Sequence, residues 1–149
     1  MSQLEIEFEK VTASLEQIDE LFNLLCERLH RISHEDVNYD EHKGFVCSHP
    51  YRVWFLVKAD FRYIGSFYIT KDNSIGINVS ERCVPLVVKP IIEFVVTNYK
   101  PLVAIPSIRN GSFAINVPHT NRVLAESLKD IGAELAQLTY YLPNQDIIH

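Results

Sequence analysis

Three short apolar and aromatic runs follow one another in the middle of the chain, and their spacing constrains the fold most. They occupy residues 53–57, 63–69 and 74–79, and short polar segments at 58–62 and 71–73 separate them. Connections this short join antiparallel neighbours, because parallel strands need a crossover of a dozen or more residues. The three runs therefore predict an antiparallel meander of strands.

Helical and strand-like patterns flank this meander on both sides. Ser14 and Gln17 have the spacing of a capping box at the start of a helix. Pro85 and Pro90 both suit a first helical turn, so the helix around them begins at either proline. Gly132 is the expected stop of the last helix. The predicted helices span residues 14–30, 40–46, 86–99 and 120–131, and the predicted flanking strands span residues 4–8, 102–105 and 134–142.

The resulting order is one strand, one or two helices, three meander strands, and then a helix before each later strand. This order predicts a mixed α+β fold, with a central mixed sheet and helices on both of its faces. The chain has 149 residues, and a domain typically holds about 100–200. Residues 1–149 are therefore expected to form a single domain.

Charge and composition exclude several classes of function. The formal net charge is −5, which disfavours a nucleic-acid-coating role because such a role needs a basic face. No apolar run approaches the roughly 18–20 residues of a membrane span. The acidic, alternating start of the chain does not match a signal peptide, so we expect a cytoplasmic protein. The three cysteines are far apart, which predicts neither a disulfide framework nor a zinc site.

The last predicted helix carries a recognisable motif. Asn121 opens it, and Ile131-Gly-Ala133 closes it, with Gly132 eleven residues after Asn121 (132 − 121). This motif and the order of elements resemble the GCN5-related N-acetyltransferase (GNAT) family. The Ile-Gly-Ala version is similar to GNAT-type proteins of tailed bacteriophages. The resemblance implies a GNAT-like fold, acetyl-coenzyme A as cofactor, and acetyl transfer to an amine of a small molecule or a protein.

A second motif of the family is a pyrophosphate-binding loop with the pattern Gln/Arg-x-x-Gly-x-Gly/Ala, and residues 82–87 stand at its place. Arg82 fits the first position, whereas Pro85 and Val87 replace the two small residues. The loop works through backbone N–H groups at a helix start. Pro85 has no N–H group to donate, and Val87 is expected to crowd the approach of the coenzyme.

The resemblance also implies roles for individual residues. Glu81, at the end of the third meander strand, is the candidate general base, and the rival interpretation is a solvated loop carboxylate. Many family members carry a tyrosine acid seven residues after the helix-opening Asn, but Leu128 stands there. Tyr140 is therefore the candidate acid. The expected cofactor-binding residues are Ile77, Val79, Arg82, Leu86 and Asn121, and the rival role of Asn121 is a helix cap.

Other interpretations stay open. Pro85, Val87 and Leu128 favour a catalytically degenerate GNAT-fold protein that binds a protein partner or belongs to a virion. A small acidic inhibitor of a nucleic-acid-binding enzyme is a third class. The pair His30 and His34 has the spacing of two metal ligands, but no third ligand is indicated, so no metal site is predicted. Cys83 is either a nucleophile or a small buried residue, and the irregular stretch 108–113 is either a binding loop or an insertion. The aromatic residues of the meander strands are interpreted as core.

Overall fold

The computed structural model describes residues 4–28 and 38–143 and contains one five-stranded sheet. The strands run in the order β1-β2-β3-β4-β5. The first four strands are antiparallel neighbours, whereas β4 and β5 pair in parallel. The predicted meander and the predicted mixed sheet are therefore confirmed. The strands are β1 Ile6–Lys10, β2 Val53–Ala59, β3 Arg62–Ile69, β4 Ser74–Val79 and β5 Ala114–Ile115.

Helices cover both faces of this sheet. The helices are α1 Leu15–Arg28, α2 Tyr39–Cys47, α3 Val84–Asn98 and α4 Arg122–Asp130. On one face, Ile18, Leu21 and Val46 from α1 and α2 pack on Trp54 and Leu56. On the other face, buried side chains of α3 and α4 form a larger core with Phe55, Phe67 and Ile77 among others. Alternation along β2 sends neighbouring side chains to opposite faces, so this strand contributes to both cores.

Local capping explains where the helices begin and end. The Ser14 hydroxyl accepts a hydrogen bond from Gln17 N at 3.2 Å, and Gln17 Oε1 accepts one from Ser14 N at 3.4 Å, which confirms the capping box. α3 begins at Val84, so Pro85 lies in its first turn and Pro90 lies inside it. α4 ends before Gly132, whose φ of 94° suits glycine.

The prediction of a strand at residues 102–105 is wrong. The side chain of Asn73 binds both backbone groups of Leu102, and Ile105 forms only an isolated bridge with Arg109. Val103 is 82% exposed. The apolar run therefore lies in a tight loop. The parallel partner of β4 is instead β5, within residues 106–118, for which the sequence predicts no regular element.

The prediction of a strand at residues 134–142 is also wrong. The chain leaves α4 through Gly132, and every residue from 131 to 143 is exposed and belongs to no strand. A strand needs a neighbour to bond its backbone groups, and β5 has only two residues in the ladder. His30 and His34 lie outside the described residues. Among those described, no helix is long and apolar enough to cross a membrane.

Candidate functional site

An opening in the sheet begins where β4 and β5 separate. The two strands pair only at Ser74 with Ala114 and at Ile75 with Ile115. Ser80 N donates to Ile64 O and Ser74 O accepts from Thr70 N, so the even-numbered backbone groups of β4 face β3. Because backbone groups alternate along a strand, those of Ile77 and Val79 face the opposite side, beyond the end of the β4–β5 ladder. These two residues, expected from the sequence, supply unpaired backbone donors and acceptors at the opening.

A cavity of about 820 Å³ lies beside this opening. Residues of α1 and α2 form one wall, residues of β2, β3 and β4 form the floor, and Asn121 at the start of α4 closes one end. Glu81 also lines it. A volume of this size accommodates a small organic molecule. The structure thus places the candidate base Glu81 and the candidate cofactor residues Ile77, Val79 and Asn121 around a single cavity.

Aromatic side chains line the floor of the cavity. The Tyr51 and Tyr68 rings stack with centroids 3.8 Å apart and an interplanar angle of 6°. Trp54 packs edge-on against Tyr51 at 5.2 Å. The indole nitrogen of Trp54 is buried and donates to no acceptor among the described residues. A Cβ on Gly76 would overlap the Tyr68 ring, so this position needs glycine for the close approach.

Acidic side chains give the cavity its charge. Glu27, Glu41 and Glu81 line it, and no lysine or arginine does within residues 4–27 and 38–143. Carboxylates that line a cleft raise the local concentration of cations. Electron-rich aromatic faces also attract cations. The lining therefore favours a positively charged ligand.

Beside the cavity, a shallow depression of about 550 Å³ is lined by Ser80, Glu81, Arg82, Pro85 and Val123. Glu81–Cys83 forms a 3₁₀ turn that runs directly into α3. The N–H groups of Cys83 and Val84 both donate to the Ser80 carbonyl, at 2.9 and 3.2 Å. Pro85 has no N–H group. In this turn, backbone N–H groups are therefore already hydrogen-bonded, whereas in a phosphate-binding loop such groups are free to bind the phosphate.

The side chains of this segment do not all lie where the sequence suggested. Val87 is completely buried in the core under α3, so the expectation that it crowds an approaching ligand is wrong. Leu86 is 55% exposed on the same helix, and Arg82 is exposed at its start. Leu128, at the position of the missing tyrosine, is buried in the same core as Val87. Cys83 is half-buried, and its sulfur forms no disulfide.

Asn121 and Tyr140 differ in how the structure places them. Asn121 Oδ1 accepts a hydrogen bond from Leu124 N at 3.2 Å, so the side chain caps α4 while the residue lines the cavity. Tyr140 is 81% exposed in the segment after α4 and does not line the cavity. Within one chain, the structure therefore does not bring Tyr140 to Glu81.

Sequence reasoning missed the cavity aromatics and a charged cluster elsewhere. Tyr63 donates from its hydroxyl to Glu9, at 3.0 Å to Oε2, and Lys58 lies 3.3 Å from Glu9 Oε1. Burial raises the pKa of Glu9, but hydrogen bonds from Gln17, Tyr63 and Lys58 outweigh it and lower the pKa overall. This cluster does not line the cavity. Near the cavity, burial against aromatic rings lowers the pKa of His49, which packs edge-on against Trp54.

Among residues 4–28 and 38–143, no three His, Cys, Asp or Glu side chains come together in a way that holds a metal ion. The cavity lining offers carboxylates, backbone amides and aromatic rings. Such groups bind cations, orient carbonyl oxygens and accept protons.

Comparison with known proteins identifies the fold. No protein-family model and no curated protein matches the sequence. Among solved structures, an integron cassette protein from the mobile metagenome of V. cholerae is 12% identical, with a TM-score of 0.61, over 98% of this chain and 97% of that one. A ribosomal-protein-alanine N-acetyltransferase from Brucella melitensis is 9% identical, with a TM-score of 0.61, over 95% and 99%.

The aminoglycoside N-acetyltransferase AAC(6')-Iy, solved in complex with CoA, is 11% identical with a TM-score of 0.59, and the match covers 97% of each chain. These neighbours span almost the whole of both chains. The chain therefore has a GNAT-like acetyltransferase fold, as the motif at Asn121 and the order of elements implied.

Proposed function

We propose that the protein is an N-acetyltransferase that uses acetyl-CoA and acts on a small cationic amine. The observation that carries this proposal is the acidic, aromatic cavity that meets the unpaired edge of β4 in a GNAT-like fold. Neighbours of this fold include an aminoglycoside N-acetyltransferase bound to CoA and one bound to a CoA-linked neamine analogue.

The residues present fit the acyl end of the coenzyme better than its diphosphate. Ile77 and Val79 direct unpaired backbone groups into the opening, and such groups bind amide and acyl oxygens. On the diphosphate side, Arg82 supplies positive charge. Pro85 has no N–H group, and the N–H groups of Cys83 and Val84 already donate to the Ser80 carbonyl, so none of the three offers a backbone donor to a phosphate. We therefore expect weak coenzyme binding, with a dissociation constant of about 0.1–1 mM.

Several side chains at the cavity have a role in this proposal. When bound, the coenzyme supplies an activated acetyl thioester. Glu81 takes a proton from the acceptor's ammonium group, which frees the nitrogen lone pair for attack. The Tyr51–Tyr68 stack and Glu41 hold the acceptor's positive charge. Tyr140 lies outside the cavity lining of its own chain and receives no role here.

Titration calorimetry with acetyl-CoA, followed by release of free thiol in the presence of polyamines and aminosugars, tests the proposal. We expect binding in the high micromolar range and turnover with at least one polycationic amine. Absence of heat at millimolar acetyl-CoA, together with absence of thiol release, would contradict the proposal. Neutral amines of the same size serve as the control ligands, because the acidic lining favours cations.

Substitution of Glu81 tests the base. Glu81→Gln should lower kcat by about 10²–10³-fold, because the amide cannot accept the proton. Glu93→Gln is the matched control, since Glu93 is an exposed carboxylate on α3 outside the cavity. A kcat in Glu81→Gln equal to that of the natural chain would assign proton removal to another group.

A second candidate function rests on the turn at Ser80. Because its carbonyl already accepts from Cys83 and Val84, and Pro85 follows, the chain is alternatively a GNAT-fold binding protein without catalysis, such as a phage-encoded virion component. Pro85 is exposed, so Pro85→Gly adds a backbone donor without disturbing the core. Coenzyme binding that appears only in Pro85→Gly would favour this second function, and coenzyme binding together with turnover by the natural chain would exclude it.

A further inference from the structure

A second depression, of about 560 Å³, adjoins the cavity on the same face of the sheet. Tyr68 lines both of them, and its ring lies over its cross-strand partner Gly76. Thr70 and Ser74 line the far side of this depression, beside the turn between β3 and β4. We call it the turn pocket. Along β4, the turn pocket begins where the cavity ends, so one ligand can occupy both.

The charge of the turn pocket is opposite to that of the cavity. Its charged lining consists of Lys71, Asp72 and Arg109, whereas three glutamates line the cavity. The Asp72 carboxylate bonds within the turn, where it accepts hydrogen bonds from the Thr70 hydroxyl and from the Ser74 N–H group. One end of the combined cleft is therefore positive, and the other end is negative.

The two cations of the turn pocket have no carboxylate partner. The Arg109 guanidinium donates from Nε to the Val103 carbonyl at 2.7 Å and from Nη1 to the Lys71 carbonyl at 3.2 Å. These bonds fix the guanidinium beside the Lys71 backbone and do not use Nη2. No carboxylate of residues 4–27 and 38–143 forms an ion pair with either side chain. Two neighbouring cations in a depression, both free of carboxylates, suit an anionic group.

We propose that the acceptor carries a carboxylate or phosphate about 10 Å from its reacting amine, and that Lys71 and Arg109 bind this anionic group. The inference rests on the proposed function, which places the amine beside Glu81. From Ile75 in the turn pocket to Asn78 in the cavity, β4 advances three residues at about 3.3 Å each. An extended peptide has a similar rise, so a tripeptide of about 10 Å spans both sites with its two ends.

Triglycine and triglycine amide are matched probes, because they differ only in the charge of the carboxyl end. The acidic cavity alone would favour the amide, which is the more positive ligand. The turn pocket reverses this order, so kcat/KM for triglycine at millimolar acetyl-CoA should exceed that for the amide by about ten-fold. The ratio should fall at high salt. An aminoalkyl phosphate and the amino alcohol of the same length test phosphate in the same way. A ratio of one or less for both pairs would overturn the inference.

Substitution of Lys71 tests the anion site. Lys71 is exposed, and its contact with Arg109 uses only its backbone carbonyl, so Lys71→Gln should fold normally. It should lower kcat/KM for triglycine by about ten-fold and change that for the amide by less than about two-fold, whereas Lys71→Arg should keep the preference. Lys129→Gln is the matched control, since Lys129 is exposed on α4 and lines neither the cavity nor the turn pocket. Equal losses for the acid and the amide in Lys71→Gln would overturn the inference.

Calorimetry without the coenzyme separates this inference from the proposed function. The natural chain should bind triglycine about ten-fold more tightly than its amide, and Lys71→Gln should remove the difference. Failure to release thiol with any amine would contradict the proposed function. Turnover of amines with no preference for an anionic group, in either binding or kcat/KM, would overturn this inference alone.

Discussion

Asn73 lies directly before β4 and hydrogen-bonds to the segment that leads into β5. Its replacement therefore tests how these contacts fix the position of β5 beside β4. Its side-chain oxygen accepts from Leu102 N at 2.7 Å, and its side-chain nitrogen donates to Leu102 O and Asn110 O at 2.9 and 2.6 Å. Its carbonyl accepts from Ala114 N at 3.0 Å. Asn73 is fully buried and has a φ of 70°, in the left-handed region.

Two costs add in Asn73→Ala. Three part-buried hydrogen bonds, to Leu102 and Asn110, are lost at about 1 kcal/mol each. The left-handed backbone costs alanine about 1 kcal/mol more. We therefore expect a loss of about 4 kcal/mol in the free energy of unfolding. Asn73→Gly loses the same bonds but tolerates the backbone, so its loss should be about 1 kcal/mol smaller.

Urea denaturation followed by tryptophan fluorescence measures both variants, with Asn98→Ala as the control. Asn98 donates to Phe94 O within its own helix, is exposed, and should cost less than about 1 kcal/mol. Hydrogen exchange at Ala114 should accelerate in both Asn73 variants, because their turn no longer positions β5. A loss below about 1 kcal/mol in Asn73→Ala, or protection at Ala114 equal to that of the natural chain, would refute this reasoning.

Three further predictions follow from single contacts. Since the pKa of Glu9 is lowered in the fold, its contribution to stability is present above its ordinary pKa of 4.5 and is lost as pH falls below it. Acid titration of unfolding should therefore show the stabilities of Glu9→Gln and the natural chain converging as the pH falls below 4.5, and a constant difference would contradict this. Gly76→Ala should push Tyr68 off its stack and weaken acceptor binding several-fold, seen by near-UV circular dichroism and calorimetry. Val87→Ala should cost about 1–3 kcal/mol of stability with no change in KM for acetyl-CoA, because its side chain faces the core.

The local patterns that predicted correctly depend on neighbours in the sequence. The meander followed from short polar turns, and α1 followed from helical spacing and the box at Ser14 and Gln17. The two wrong strands, at residues 102–105 and 134–142, also had suitable local patterns. Whether such a run becomes a strand depends on partners that are distant in sequence. Asn73 binds the backbone groups of Leu102, and no strand among residues 4–28 and 38–143 pairs with residues 134–142.

The residues of the candidate site likewise include some that local patterns predict and some that depend on distant partners. The positions of Glu81 and Arg82 were predictable, because Glu81 follows a strand pattern and Arg82 begins the loop motif. The aromatic floor of the cavity was not predictable, because Tyr51, Trp54 and Tyr68 come together only when β2 and β3 pair in register. The direction of Val87 was not predictable either, since a loop pattern does not state which side of the helix faces the core. The two departures from the binding motif therefore have different consequences. Proline at position 85 removes an exposed backbone donor, whereas valine at position 87 adds only a side chain in the core. We therefore expect Pro85 to weaken coenzyme binding and Val87 to have no effect on it.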